Sequence, residues 1–228
     1  MKVDEKFDLI VSNPPYSVKW VGCDDLKLID DPRFSPASVL APKSRADLAF
    51  VLHSLYYLKP GGTAAVVCFP GVLYRGGAEQ KIRQYLIERA NCVDCIIQLP
   101  PNLFFGTSIA TCILVLKSGR NDNRVLFIDA SKEYVKSTNN NRLAKENIQK
   151  IVDVFAERKN IKYFSHSVTL DEIKRNDFNL SVSTYVEAED TREVIDIVEL
   201  NRDLRKIVAK QQRLRDEIDR IVEEIGER

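Results

Sequence analysis

Phe7-Asp8-Leu9-Ile10-Val11-Ser12, followed at once by Asn13-Pro14-Pro15-Tyr16, is the stretch on which the reading of this chain turns. The first six residues are a short β-branched and apolar run, the pattern of a strand. The two prolines end it, because each fixes φ and lacks a backbone N–H. The backbone there is stiff, and the carbonyls of Asn13 and Pro14 have no local N–H to satisfy them. The side-chain carbonyl of Asn13 completes an acceptor cluster aimed at an –NH₂ group, and Tyr16 can stack on a flat ring. In open α/β sheets the carboxyl end of a strand is where ligands bind. Asn13, Pro14, Pro15 and Tyr16 are therefore the candidate catalytic residues. A bare Asn-Pro would read as a turn with the tyrosine packed on the core. All four residues directly after a hydrophobic strand are a far more specific signal.

Outward from this point, strand-like runs alternate with helical ones. Residues 17–44 have no clean period and read as a long loop. Arg45–Leu58 carries apolar residues at 48, 51, 52, 55 and 58, a helical stripe. It stops at Lys59-Pro60-Gly61-Gly62, where Pro and Gly are the expected terminators. Thr63–Phe69 is a continuous apolar run, as a strand buried on both faces should be. Ala78–Ala90 is again helical. Val93–Leu99, Ala110–Lys117 and Arg124–Ala130 are further strands, the first two joined by the loop Pro100–Ile109. This alternation predicts βαβ units and a mostly parallel sheet, with an antiparallel pair at the edge that carries the last two main strands. Residues 1–130 form the first expected domain. Residues 131–188 form a helical and mixed extension, in which Lys132–Asn160 reads as mostly helical and Asp171–Lys174 as a short capped helix. In 189–228, Ile197, Leu200, Leu204, Ile207, Gln211, Leu214, Ile218, Ile221 and Ile225 alternate spacings of three and four. That is an a/d seam, which favours a partner helix and a coiled coil over a helix folded back on its own domain. Gln211 either fixes the register or points to solvent.

The chain has 228 residues, 44% hydrophobic and 29% charged, which excludes a mostly disordered or collagen-like polypeptide. Thirty-four Lys and Arg against 33 Asp and Glu leave a net charge of +1. So small a charge carries no sign of a polyanion partner, and any grip on nucleic acid must be local or come from another chain. Lys19, Lys43, Arg45 and Arg75 are candidate phosphate contacts, although solvated surface charge is the simpler reading of each. No apolar run reaches the length of a membrane helix, and Met1–Lys6 does not read as a secretory signal, so the chain reads as cytoplasmic. Five cysteines are odd in number. Cys92-Val93-Asp94-Cys95 lacks a second ligand pair for zinc, and no metal is expected.

The segment Asn13-Pro14-Pro15-Tyr16 resembles the catalytic motif of amino-group DNA methyltransferases in its N6-adenine form. Ala46-Asp47-Leu48-Ala49-Phe50 through Leu58-Lys59-Pro60-Gly61-Gly62, then Val66–Pro70, Leu99-Pro100-Pro101-Asn102-Leu103-Phe104-Phe105-Gly106-Thr107, and Asn176-Asp177-Phe178-Asn179-Leu180 with Tyr185, are similar in order and type to the methylation (M) subunit of type I restriction–modification systems. The resemblance covers most of the chain. It implies an α/β fold: the catalytic half of a Rossmann-like methyltransferase sheet, lacking the first strands, followed by a helical region and a long C-terminal coiled-coil helix. It implies transfer of a methyl group from S-adenosylmethionine to the N6 of an adenine flipped out of the duplex. Asn13 and Pro14 would grip the amino group, and Tyr16 would stack on the base. Phe104 is expected on the opposite face or edge, with Phe105 the close alternative and core packing the plain reading of both. Phe50, Asp47 and Asn13 are the implied cofactor contacts. Phe50 suits core packing equally well, and Asp47 suits a helix start.

One departure from the family is large. The Gly-rich loop after a first strand, which is the main cofactor grip, is absent. Pro60-Gly61-Gly62 and Arg75-Gly76-Gly77 lack the strand–GxG–helix context, and residues 119–228 hold no candidate for a permuted arrangement. The chain therefore looks like the carboxyl-terminal part of an M subunit, and alone it is expected to be inactive. The implied partners are DNA, a specificity subunit docked on helix 197–225, a second methylation subunit and a restriction subunit. The unpaired edge of Phe7–Ser12 adds self-association. The alternative from another class is a non-catalytic assembly module acting through its coiled coil. Methylation of a protein glutamine or of RNA fits the first motif alone but not the match beyond residue 100.

Overall fold

The computed structural model describes residues 5–105, 107–189 and 197–226. Residues up to Ala188 form one compact unit, and those from Glu189 onward a second. In the first unit, β1 (Phe7–Ser12) leads through three short 3-10 turns to α1 (Asp47–Tyr56) and β2 (Leu58–Cys68). Next come α2 (Ala78–Gln84), extended by a π turn over Tyr85–Arg89, then β3 (Val93–Gln98), β4 (Cys112–Lys117) and β5 (Val125–Asp129). A small hairpin of β6 (Val135–Lys136) and β7 (Asn141–Arg142) precedes α3 (Lys145–Glu157), β8 (Ser165–Val168), α4 (Leu170–Arg175) and α5 (Val182–Tyr185). Among its described residues the second unit contains one helix, α6 (Ile197–Gly226).

The main sheet has the order β1-β2-β4-β3-β5-β8. β1, β2, β3 and β5 point the same way, and β4 and β8 oppose them. The antiparallel pair is thus not at the edge that the sequence suggested. The α2 crossover from β2 to β3 skips one strand position. β4 returns from β3 through a hairpin connection, which can only be antiparallel, and fills that gap. Its apolar residues are covered by strands on both sides.

Two further stretches differ from their sequence reading. Lys59-Pro60-Gly61-Gly62 does not end the ladder but bulges out of it. Phe7 pairs with Leu58 and Leu9 already with Thr63, so four residues of β2 stand opposite Asp8 alone, a surplus of three. Gly61 turns the bulge with φ +80°. In the stretch read as mostly helical, residues before Lys145 form the β6–β7 hairpin instead. The N-terminus of α4 follows the expected chemistry: the Thr169 hydroxyl accepts from the Glu172 backbone N–H at 3.4 Å.

Alternation along the strands gives the sheet two apolar faces. One carries Ile10, Ala64, Val66, Ile96, Leu114, Leu116 and Phe127, and is covered by Leu48, Val51 and Leu52 of α1, Ile82 of α2, Ile173 of α4 and Val182 of α5. The Arg83 guanidinium pins α2 to this layer. It donates to the carbonyls of Phe178 (2.8 Å), Val72 (3.0 Å) and Arg75 (2.7 Å), and burial pulls its pKa down to about 10. The other face carries Cys95, Ile97, Val115, Leu126 and Ile128 beneath Ile151 and Val154 of α3. α3 reaches only the β3–β5 half. On the β1 side of that face Leu9 and Val11 stand 66% and 77% exposed.

Buried thiols are packing elements. Cys92 lies in the first apolar cluster and Cys95 in the second, and all five cysteines are free. No helix among the described residues is long and apolar enough to cross a membrane.

An exposed apolar pair on an unpaired edge strand favours association with other chains. We expect Val11→Lys to lower the concentration-dependent mass of the protein, measured by size-exclusion chromatography with light scattering. A wild-type chain with one constant mass at all concentrations would contradict this.

Candidate active site

Because β1, β2, β3 and β5 share a direction, the loops after them gather at one rim of the sheet, as residues 13–17, 69–77, 99–111 and 130–144. The first loop presents Asn13 and Pro15 exposed and Pro14 and Tyr16 half-buried. Asn13 is not folded into the scaffold. Its Oδ1 accepts from the Tyr16 hydroxyl at 2.8 Å. Tyr16 leans over the ends of β2 and β4, where Cys68 and Cys112 face each other across the ladder. Burial raises the Tyr16 hydroxyl pKa, with smaller contributions from these two cysteines. Burial also raises the pKa of the Cys68 thiol and pushes that of Cys112 up to about 12, so the two cysteines under the loop are neutral and no nucleophile is formed there.

Beyond Tyr16 the chain is tied to the start of α1. Ser17 has φ +52°, and its N–H donates to Asp47 Oδ1 at 3.0 Å. The Ala46 N–H donates to the Val18 carbonyl (2.9 Å) and the Trp20 N–H to the Lys43 carbonyl (3.1 Å). The Trp20 indole reaches the Pro42 carbonyl at 3.0 Å and meets Phe34 edge-on at 5.5 Å. Asp47 is 5% exposed, and its Oδ2 is buried with no hydrogen-bond partner. Phe50, one turn further along α1, is half-buried and lies outside both apolar clusters. Neither cluster claims it as core.

The structure separates the two phenylalanines that the sequence left open. Phe104 packs with Leu103 against the apolar cluster under α3. Phe105 is 98% exposed. Their loop is held by a residue that the sequence reading missed. Asn141, on β7, donates its backbone N–H to the Asn102 carbonyl (2.9 Å) and its Nδ2 to the Pro101 carbonyl (2.8 Å). Nothing in the polar run around it signals this, because its partners are carbonyls forty residues earlier in the chain.

The basic residues near the rim are mostly engaged. Lys43 pairs with Asp24, while Arg45 and Arg75 flank Glu79 at 3.4 and 3.6 Å. Burial raises the Glu79 pKa, against the opposing pull of Arg75 and Arg45. Lys19 is exposed. The arrangement can accept hydrogen bonds from an amino group and offer a ring to a planar ligand. Among the described residues it holds no cluster of metal-binding side chains.

Comparison with known proteins gives this geometry a context. The N-6 DNA Methylase family profile matches residues 1–194. The chain is 51% identical over 220 residues to the type I restriction enzyme MpnII methylase subunit of Mycoplasma pneumoniae, covering 96% of this chain and 40% of that protein. It is 35% identical over 228 residues to the MjaVII methylase subunit of Methanocaldococcus jannaschii, covering 96% and 39%. Among solved structures, the methyltransferase subunit of a type I restriction–modification system from Streptococcus thermophilus superposes with a TM-score of 0.78 at 44% identity, over 82% of this chain and 39% of that one. The chain thus spans about two fifths of the length of these relatives.

The different settings of the two phenylalanines have separable consequences. We expect Phe104→Ala to cost about 1–2 kcal/mol of unfolding free energy, from partial loss of apolar burial. Phe105→Ala should leave stability unchanged. Urea denaturation followed by circular dichroism measures both, and equal losses would contradict this placement.

Proposed function

Since the chain belongs to the N-6 DNA methylase family, we propose that it is the catalytic half of a type I methylation subunit, working on the N6 of adenine in DNA with S-adenosylmethionine as methyl donor. The observation that carries this reading is the exposed Asn13, with its Oδ1 turned to the Tyr16 hydroxyl at 2.8 Å beside two prolines. A carboxamide oxygen has two lone pairs. Tyr16 occupies one, and the other is free for an amino hydrogen of a flipped adenine. The Pro14 carbonyl takes the second amino hydrogen. Gripped in this way, the nitrogen is drawn toward the pyramidal form that appears in the transition state, so the residues act by orientation and electrostatics. Tyr16 stacks on the base, worth roughly 1–3 kcal/mol. Phe105, free of the core, closes the other side. No covalent enzyme intermediate is required, in keeping with the inert thiols beneath the loop.

The residues present suit the cofactor in part. It supplies an electrophilic methyl group when bound. Phe50, uncommitted to the core, suits contact with its adenine ring, and the exposed Asn13 side chain offers an acceptor. These 228 residues hold no Gly-rich strand–loop–helix segment, and on this reading the chain alone binds the cofactor weakly and does not turn over.

Sequence reading of the DNA falls to a separate specificity subunit, docked on α6. The support is the seam itself, with Leu200, Leu204, Ile207, Leu214 and Ile218 all exposed along an unbroken helix. A second methylation subunit and a restriction subunit complete the assembly, which works on DNA in the cytoplasm. The same helix supports the second reading, an assembly module without catalysis.

Transfer of tritiated methyl to DNA separates the two. The chain alone should give no label. Reconstituted with the remaining parts of the enzyme it should label adenine N6, and Asn13→Ala should reduce that rate by at least about 100-fold. Label in the absence of the other parts, or full activity of Asn13→Ala, would overturn the catalytic reading. A reconstituted assembly that binds its partners and transfers nothing would establish the second one.

A further inference from the structure

We propose that Asp47 is a positioning residue for methyl transfer: through Ser17 it fixes the conformation of the Asn13–Tyr16 loop. The catalytic part of this inference rests on the function proposed above, whereas the geometry stands alone. Pro14 and Pro15 offer no N–H by which a neighbour could hold the loop. The Ser17 N–H does, and its partner is a carboxylate rather than a backbone carbonyl, at 3.0 Å. Ser17 is a non-glycine residue at φ +52°. Such a conformation persists where the surroundings over-determine it. A hydrogen bond to a buried acceptor held by a helix does so.

The rest of the strap needs no such help, since main-chain bonds already tie Val18 to Ala46 and Trp20 to Lys43. Ser17 is therefore the joint between a fixed segment and the loop. A rotation there carries the Tyr16 ring with it and moves the hydroxyl that orients Asn13. Asp47 sits in the first turn of α1, where the helix dipole favours its carboxylate. It is held by the helix while it holds the loop.

The position of the acceptor and the charge of the side chain can be varied independently. Asp47→Asn keeps an oxygen in place and loses the charge. Asp47→Glu keeps the charge at the helix start and displaces the oxygen by one methylene. Asp47→Ala removes both. Hydrogen–deuterium exchange of the Ser17 amide, followed by mass spectrometry on peptides spanning residues 13–18 of the full chain, reads this bond without any activity. Exchange should speed up in the Ala and Glu variants and stay at the wild-type rate in Asn. In the reconstituted enzyme, kcat should fall about 10- to 100-fold in Ala and Glu with KM for DNA unchanged, and Asn should recover most of it.

The proposal is overturned if Glu matches wild type while Asn is impaired, if all variants exchange alike, or if exchange changes and kcat does not. Should Asp47→Ala fail to fold, the Asn–Glu comparison decides alone. If the reconstituted wild-type enzyme transfers no methyl, the functional reading fails, and the exchange rates still decide the geometry.

Discussion

Two adjacent prolines stop β1 at the rim of the sheet and remove the two backbone N–H groups that follow Asn13. The site depends on that constraint. A loop without those two donors has fewer ways to satisfy its own carbonyls, and the Asn13 side chain stays exposed. It also cannot be held from outside at those two positions. The hold passes to Ser17 and Asp47 on one side and to the β1–β2 ladder on the other. Tyr16 lies between these anchors, half-buried, with its hydroxyl on Asn13. The loop is stiff because it has few alternatives.

The sheet supplies direction. Four strands pointing the same way bring the Pro101–Phe105 loop and the Asn13–Tyr16 loop to one rim. Buried charge and polarity fasten the elements that carry them. Arg83 clamps three carbonyls under α2, and Asp94 holds Arg120 and Arg158 at 3.1 and 3.2 Å where β3 begins. Removing one partner from such buried groups is costly, since the others remain unsatisfied. Coverage of the sheet is uneven. One face is fully packed, while the other is open over β1, where Leu9 and Val11 meet solvent.

Much of this is legible in the sequence, for reasons that differ by element. The apolar runs at Phe7–Ser12, Thr63–Cys68, Val93–Gln98 and Cys112–Lys117 could be nothing but strands. The stripe from Leu48 to Leu55 marks α1. β8 escapes notice because Ser165-His166-Ser167-Val168 is a polar edge strand with little apolar content to betray it. The bulge at Lys59–Gly62 reads as a terminator, since Pro and Gly serve both purposes. The interior place of β4 depends on how far the α2 crossover travels, which no local pattern records. In the site, Asn13 and Tyr16 are visible because their chemistry is in their types. Ser17 and Asn141 are not, because their roles come from a left-handed backbone and from carbonyls of another segment. Phe104 and Phe105 are adjacent and identical in type, so only their packing could distinguish them.

Photocrosslinking tests the central claim most directly. A duplex carrying 5-iodouracil in place of the proposed target adenine is irradiated with the assembly reconstituted around this chain, and the attached residue is mapped by mass spectrometry. A base stacked at the rim gives a crosslink to Tyr16. A crosslink confined to residues remote from the Asn13–Tyr16 loop would contradict the account.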